Sequence, residues 1–351
     1  MVTESLTVNG TIQVKKDIAG GGGSDAGGAS GGNLELFAKE IAGTGQINVD
    51  GADGSTGNSW GNDNNANAGA AYSIPSTGKD GSGGVGAERG SNAQYNNNSW
   101  NGNRDGGDKG QAHSSIYNDS TLKSYIEDYL ISGAYITQSP IDTMLPGSGG
   151  GSGGGGNGQV RRYDNNNNSN YRDRCEVGGG GGGCGGSFIT KGGDGGNGDE
   201  RYHHKNSLSV DPDGANNGDA TMNYDGGEAG SGGGAGGFIL LVSESVSLDV
   251  TFSAQGGVGG DGYWGRQSGN EWDGNSFANY TQENNTMSAG GAGGGSGGLI
   301  IGFTDKTPTI QLSGGAGGIP GHERKGGNSN ANAGKRGEDG ATFLYDVSEL
   351  M

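Results

Sequence analysis

The residues best able to do chemistry in this chain of 351 residues are aromatics and carboxylates, and their surroundings argue for binding rather than catalysis. All four tryptophans, Trp60, Trp100, Trp264 and Trp272, lie among Gly, Asn, Ser and Asp, as do Tyr163, Tyr171, Tyr202, Tyr263 and Tyr280. Rigid aromatic anchors among small, adaptable polar neighbours make up a recognition surface. Trp beside Asn and Asp also suits sugar rings, whose faces stack while their hydroxyls find polar partners. These nine residues are the candidate receptor contacts. Some of the aromatics are also expected to fold back over strand edges and sheet ends.

The sequence assigns no catalytic constellation. The pattern G-x-S-x-G occurs at Gly294–Gly298 and at Gly150–Gly154. A nucleophile elbow needs a strand before the serine and a helix after it, whereas Ser296 precedes a strand-like run. The four histidines, His113, His203, His204 and His322, stand in no motif, and no phosphate-binding loop occurs. The expectation is a chain that is not an enzyme.

Metal and thiol chemistry give weaker signals. Gly256–Trp264, GGVGGDGYW, fits the nonapeptide of calcium-binding β-rolls and makes Asp261 a candidate calcium ligand. Such sites need tandem copies to surround the ion, and one copy is present, so no cofactor is expected. Cys175 and Cys184 flank a run of six glycines, where they close a small disulfide loop or remain thiols.

Composition bounds the partners. The net charge is −18, which opposes nucleic acid and anionic membranes and favours solubility and the attraction of cations or basic partners. No apolar run is long enough to cross a membrane as a helix, and the N-terminal MVTESLTVNG has no basic region followed by an apolar stretch. A virion surface or an extracellular setting reached without a signal peptide is the expectation. Glycine (85 residues) and proline (6) make up about a quarter of the chain. Ordering so much glycine is costly in entropy, so backbone hydrogen bonding and close backbone packing must compensate. Glycine-only runs such as Gly178–Gly183 can do this as polyglycine II-like threefold helices, or else serve as loops.

The elements that position these residues are repeats. Residues 230–262 read as a glycine lead-in, an apolar run (Phe238–Val242), a turn, an alternating strand (Leu248, Val250, Phe252, Ala254) and a glycine exit. The same grammar recurs over 27–54 and 293–318. The predicted fold is all-β, with strand-turn-strand units stacked as a β-solenoid-like or layered scaffold, polyglycine II-like segments, and one short helix over 120–132. Asn9-Gly10 between alternating apolar residues predicts a tight N-terminal hairpin, and Ser187–Lys191 a further short strand. The chain divides into 1–55 (hairpin and first repeat), 56–146 (Asn/Gly-rich insertion with the helix) and 147–351 (repeats with polar insertions), and all three could form one continuous domain. Insertions at 159–177, 199–226, 263–288 and 321–340 are expected to project on one binding face.

The runs GSGGGSGGGGNG (147–158) and GGGGGGCGG (178–186), with aromatic and Asn-rich loops between them, resemble the distal tail-fibre adhesins of T-even-type bacteriophages. The strand-containing repeats look more like glycine-rich β repeats of large microbial surface and virion proteins. The adhesin resemblance implies packed polyglycine helices, with loops that bind a host cell-surface receptor or glycan. It also implies assembly with other virion or fibre proteins, and homo-oligomers. The alternative is a self-assembling extracellular filament or coat subunit.

Overall fold

The computed structural model describes residues 2–14, 27–57, 159–162, 174–176, 181–198, 202–204, 221–225, 229–272, 277–284, 288–321 and 331–350. Of 159–162, 174–176, 202–204, 221–225, 265–272 and 277–284 it describes the backbone alone. The proposed helix at 120–132 lies outside the described residues. Among those described, structure is almost entirely strand, with a single 3-10 turn at Val347–Leu350.

The strands are β1 (Val2–Val8), β2 (Thr11–Gln13), β3 (Asn33–Gly43), β4 (Gln46–Asn48), β5 (Gln159–Arg162), β6 (Arg174–Glu176), β7 (Tyr202–His204), β8 (Thr221–Asp225), β9 (Phe238–Val246), β10 (Thr251–Ser253), β11 (Gly265–Trp272), β12 (Phe277–Asn284), β13 (Leu299–Thr304), β14 (Thr309–Gln311) and β15 (Ala341–Tyr345). One parallel sheet is ordered β1-β3-β9-β13-β15 and a second β2-β4-β10-β14. Both run in chain order, so successive repeats stack side by side. The strands at 2–13 and 33–48 therefore share both sheets with those at 238–253 and 299–311.

This corrects the N-terminal hairpin. Strands β1 and β2 do not pair with each other: β1 pairs in parallel with β3, and β2 with β4. Asn9-Gly10 instead carries the chain from one sheet to the other, so that the two strands face each other across a core. Each strand takes its partners from the neighbouring repeats. The repeat at 27–54 turns the same corner at Gly43, whose φ of 109° favours glycine and whose Cβ would overlap the Val8 carbonyl oxygen.

Period-two alternation sends the first sheet's apolar residues to both faces, as the uninterrupted run Phe238–Val242 predicts. Ile239, Leu241 and Ile300 join Leu36, Ile41, Ile47, Val250 and Phe252 in a core between the two sheets. Phe238, Leu240, Leu299, Ile301 and Phe303 form a second core on the outer face. Phe188 and Ile189 plug that outer core, and Val347 packs against it. Ser187–Lys191 is therefore a tight bend rather than a strand, with Phe188 N–H donating to the Thr190 carbonyl at 3.2 Å. Leu248 also departs from expectation. It sits in the turn before β10 and is 55% exposed, while Val250, Phe252 and Ala254 are buried.

Below the sheets the glycine-rich stretches form nine extended segments among the described residues: 27–32, 49–57, 181–186, 191–198, 229–237, 254–264, 288–298, 312–321 and 331–340. Their hydrogen bonds repeat every third residue. In 288–298, Ala289, Ala292, Gly295 and Gly298 donate to 254–264; Gly291, Gly294 and Gly297 donate to 331–340; Gly293 and Ser296 donate to 181–186. The same segment accepts from Gly233, Gly193 and Gly315 on three further segments. It thus has six hydrogen-bonded neighbours, and every residue in it is buried. A Cβ at Gly293, Gly294 or Gly295 would overlap the carbonyl oxygen of Gly193, Gly315 or Gly234.

Candidate functional site

Direction along the segments decides where function can sit. Segment 49–57 bonds to 254–264 with both numbers rising (Gly51 N–H to Gln255, Gly54 to Val258, Gly57 to Asp261), so these segments leaving the sheets are parallel. Segment 229–237 runs against them, with Ser231 bonded to Ser55, Gly234 to Ala52 and Gly237 to Val49. Among the described residues the outgoing segments therefore end at 57, 198, 264 and 321, and the returning ones begin at 27, 181, 229, 288 and 331, on the side opposite the sheets.

Parts of three insertions distant in sequence join at the backbone level. The antiparallel sheet β12-β11-β8-β5 combines residues 159–162, 221–225, 265–272 and 277–284, and β6 pairs with β7. Trp272 is in β11 opposite Phe277, and Tyr280 is in β12 opposite Gly269. Tyr202 lies in β7 opposite Glu176. The proposed contacts Trp60, Trp100, Tyr163 and Tyr171 lie outside the described residues, as do the side chains of Tyr202, Trp272 and Tyr280.

Two of the nine candidate receptor contacts are described in full. Tyr263 and Trp264, at the end of segment 254–264, are partly buried and stack on each other with ring centroids 4.0 Å apart and planes at 27°. Tyr263 is anchored through its backbone, where its carbonyl accepts from Ala289 N–H at 2.9 Å.

Asp261, the candidate calcium ligand, joins two segments. Its Oδ1 accepts from the Ile319 N–H at 2.8 Å, and among the described residues no group of three or more metal-ligating side chains assembles. Gly256–Trp264 belongs to the threefold segment, which has one column of larger residues on its open side. Asp50 and Asp53 act as Asp261 does, accepting from Gln255 N–H at 2.6 Å and Val258 N–H at 2.8 Å. These carboxylates occupy hydrogen-bonding positions that another segment would fill in the interior, a role missed in the sequence although the three-residue spacing signals it. Asp339 does the same at one edge, accepting from Gly314 N–H at 3.0 Å. That bond, together with the neighbouring Arg336, holds its carboxyl below the usual carboxylate range.

Cys184 is buried in the glycine layer. Its proposed partner Cys175 lies in β6, whose side chains are outside the described residues. A charged cluster ties the bend at 187–191 to segment 331–340, since Asp194 pairs with Lys191 and Lys335, each at 3.1 Å. Nearer the sheets, burial pushes the Glu35 carboxyl up from its ordinary value.

Comparison with protein families, with curated proteins and with solved structures finds no match for this chain. Among the described residues no helix is long and apolar enough to cross a membrane.

Proposed function

We propose that the chain is a non-enzymatic display protein, a viral fibre or tail-tip component whose loops bind a host receptor or glycan. The observation that carries this reading is the alternation of outgoing and returning glycine segments, which brings the roots of the insertions to one end. The opposite end holds the two cores. In this reading the strands form a solenoid-like stack, and the glycine segments form a polyglycine II-like lattice continuous with it, as the three-residue hydrogen-bond period supports. A lattice of backbone bonds fixes the insertion roots rigidly while leaving the loops free to vary, which suits receptor recognition.

The test is binding of the purified chain to candidate host cells, with Trp272→Ala and Tyr280→Ala compared against the parent. At least tenfold weaker binding, at an unchanged thermal midpoint, is the expected result. Binding unaltered by either change, or no cell binding at all, would overturn the reading.

One observation favours a second reading, a self-assembling filament or coat subunit. Among the described residues β1 pairs on one side only, and an open strand edge is a template for another copy. The far edge of the sheet that holds β1 is β15, a strand of five residues, and the far edge of the second sheet is the three-residue β14. Sedimentation in dilute solution separates the two: a monomer or small closed oligomer excludes an open filament.

A further inference from the structure

The open side of the glycine layer carries a second, more local signal. In segment 254–264 the residues at 256, 259 and 262 bond to 312–321, while 257 and 260 bond to 229–237. The remaining column, Gln255, Val258 and Asp261, faces outward, and Trp264 continues it three residues on. Alongside run Ser313, Ala316 and Ile319 on one flank and Asp50, Asp53 and Thr56 on the other. Steps of three residues space these rows by about 9 Å, roughly the length of a disaccharide.

The middle and distal rows of this face each carry one large apolar side chain. Val258 is 44% and Ile319 45% exposed, two of the three large exposed hydrophobics among the described residues. The bond from Gly262 N–H to the Ile319 carbonyl at 2.9 Å ties Ile319 to the residue just before the Tyr263–Trp264 stack. The bond to Ile319 N–H fixes the Asp261 carboxylate in the same row while leaving its second oxygen as an acceptor. The three columns contain Asp50, Asp53 and Asp261 and no Lys or Arg.

We propose that this face is a glycan-binding platform. Trp264 stacks against a hexopyranose ring, Val258 and Ile319 support the adjoining ring, and Asp261 and Asp53 accept hydrogen bonds from its hydroxyls. The ring pair supplies the apolar stacking surface, and the fixed carboxylates supply the acceptors. The acidic columns select neutral or amino-substituted sugars over sialylated, uronic or phosphorylated ones, since a like-charged ligand would be repelled. The proposal deepens the display reading by naming a ligand class and a site at the root of one insertion.

The experiment titrates the full chain with soluble chito-, manno-, galacto- and malto-oligosaccharides, and with polysialic and hyaluronan oligosaccharides as acidic counterparts, following tryptophan fluorescence and calorimetric heat. At least one neutral or amino sugar is expected to bind, and the acidic ones more weakly or not at all. Trp264→Ala should weaken binding at least tenfold. Asp261→Asn keeps an oxygen for Ile319 N–H and should weaken it severalfold at an unchanged thermal midpoint. The proposal falls if no neutral or amino sugar binds, if acidic sugars bind as tightly, or if Trp264→Ala and Asp261→Asn both bind as the parent does. Cell binding that survives Trp264→Ala but is lost in Trp272→Ala would sink the platform and leave the display reading standing. Sugar binding without cell binding would do the reverse.

Discussion

Segments 288–298 and 254–264 have similar length, run antiparallel to each other and share four hydrogen bonds, yet their sequences obey different rules. The first is built from Gly, Ala and Ser alone and is fully buried. The second admits Gln255, Val258 and Asp261 at every third position. The difference is the number of neighbours. Six segments surround 288–298, so each of the three residues in a turn meets another backbone. Segment 254–264 has an open side, and one residue in three is free to carry a side chain. Corner segment 331–340 admits two in three, with Lys335 and Arg336, then Glu338 and Asp339, between Gly334, Gly337 and Gly340. The spacing of larger residues thus reports the position of each segment in the layer.

The strongest way to break this comparison is Gly295→Ala. Its Cβ would meet only backbone, the Gly234 carbonyl and the Ala235 nitrogen, and neither end can yield without moving a neighbour. A loss of about 3 kcal/mol or more is expected by chemical denaturation, or failure to fold. Asp53→Ala removes the acceptor for Val258 N–H on the open side, where water can partly substitute. About 1 kcal/mol should be lost in the same assay.

Asp339→Asn sharpens the edge case through pH. The folded-state pKa of Asp339 is depressed, so its contribution is present above the unfolded value and is lost as pH falls through the folded one. A small deficit of the variant at pH 7 should therefore shrink as pH falls below the ordinary Asp value of about 3.9, as measured by thermal midpoint across pH. Smallest of all is Val258→Ser at an exposed position of the open column, expected within about 0.5 kcal/mol of the parent.

Much of the scaffold was legible because the signals are local. The run at Phe238–Val242 predicts a strand buried on both faces, and the recurring glycine grammar marks the units that stack. Pairing was not legible, because Asn9-Gly10 has the residues of a hairpin turn whether its strands pair with each other or with the next repeat. Which occurs depends on repeats more than 20 residues away in sequence. Phe188 and Ile189 resemble a strand locally, but they serve as a plug for an outer core assembled from β9 and β13. For the site, types and surroundings mark Tyr263 and Trp264 as candidate contacts, and the structure stacks the two rings on each other. The Gly-Gly-x-Gly-x-Asp context of Asp261 gives no sign of its bond to Ile319 N–H. Its neighbours Asp53 and Ile319 come from other segments, so the hydrogen-bonding role emerges only in three dimensions.

The most direct test of the threefold glycine layer is residue-resolved amide hydrogen exchange across these two segments. Every N–H from Gly291 to Gly298 donates to another segment, and uniform slow exchange is expected there. Across Gly256–Gly262, protection should instead repeat with a period of three: Gly256, Gly257, Gly259, Gly260 and Gly262 slow, Val258 and Asp261 faster. A period of two in either segment, or rapid exchange throughout 291–298, would contradict the account.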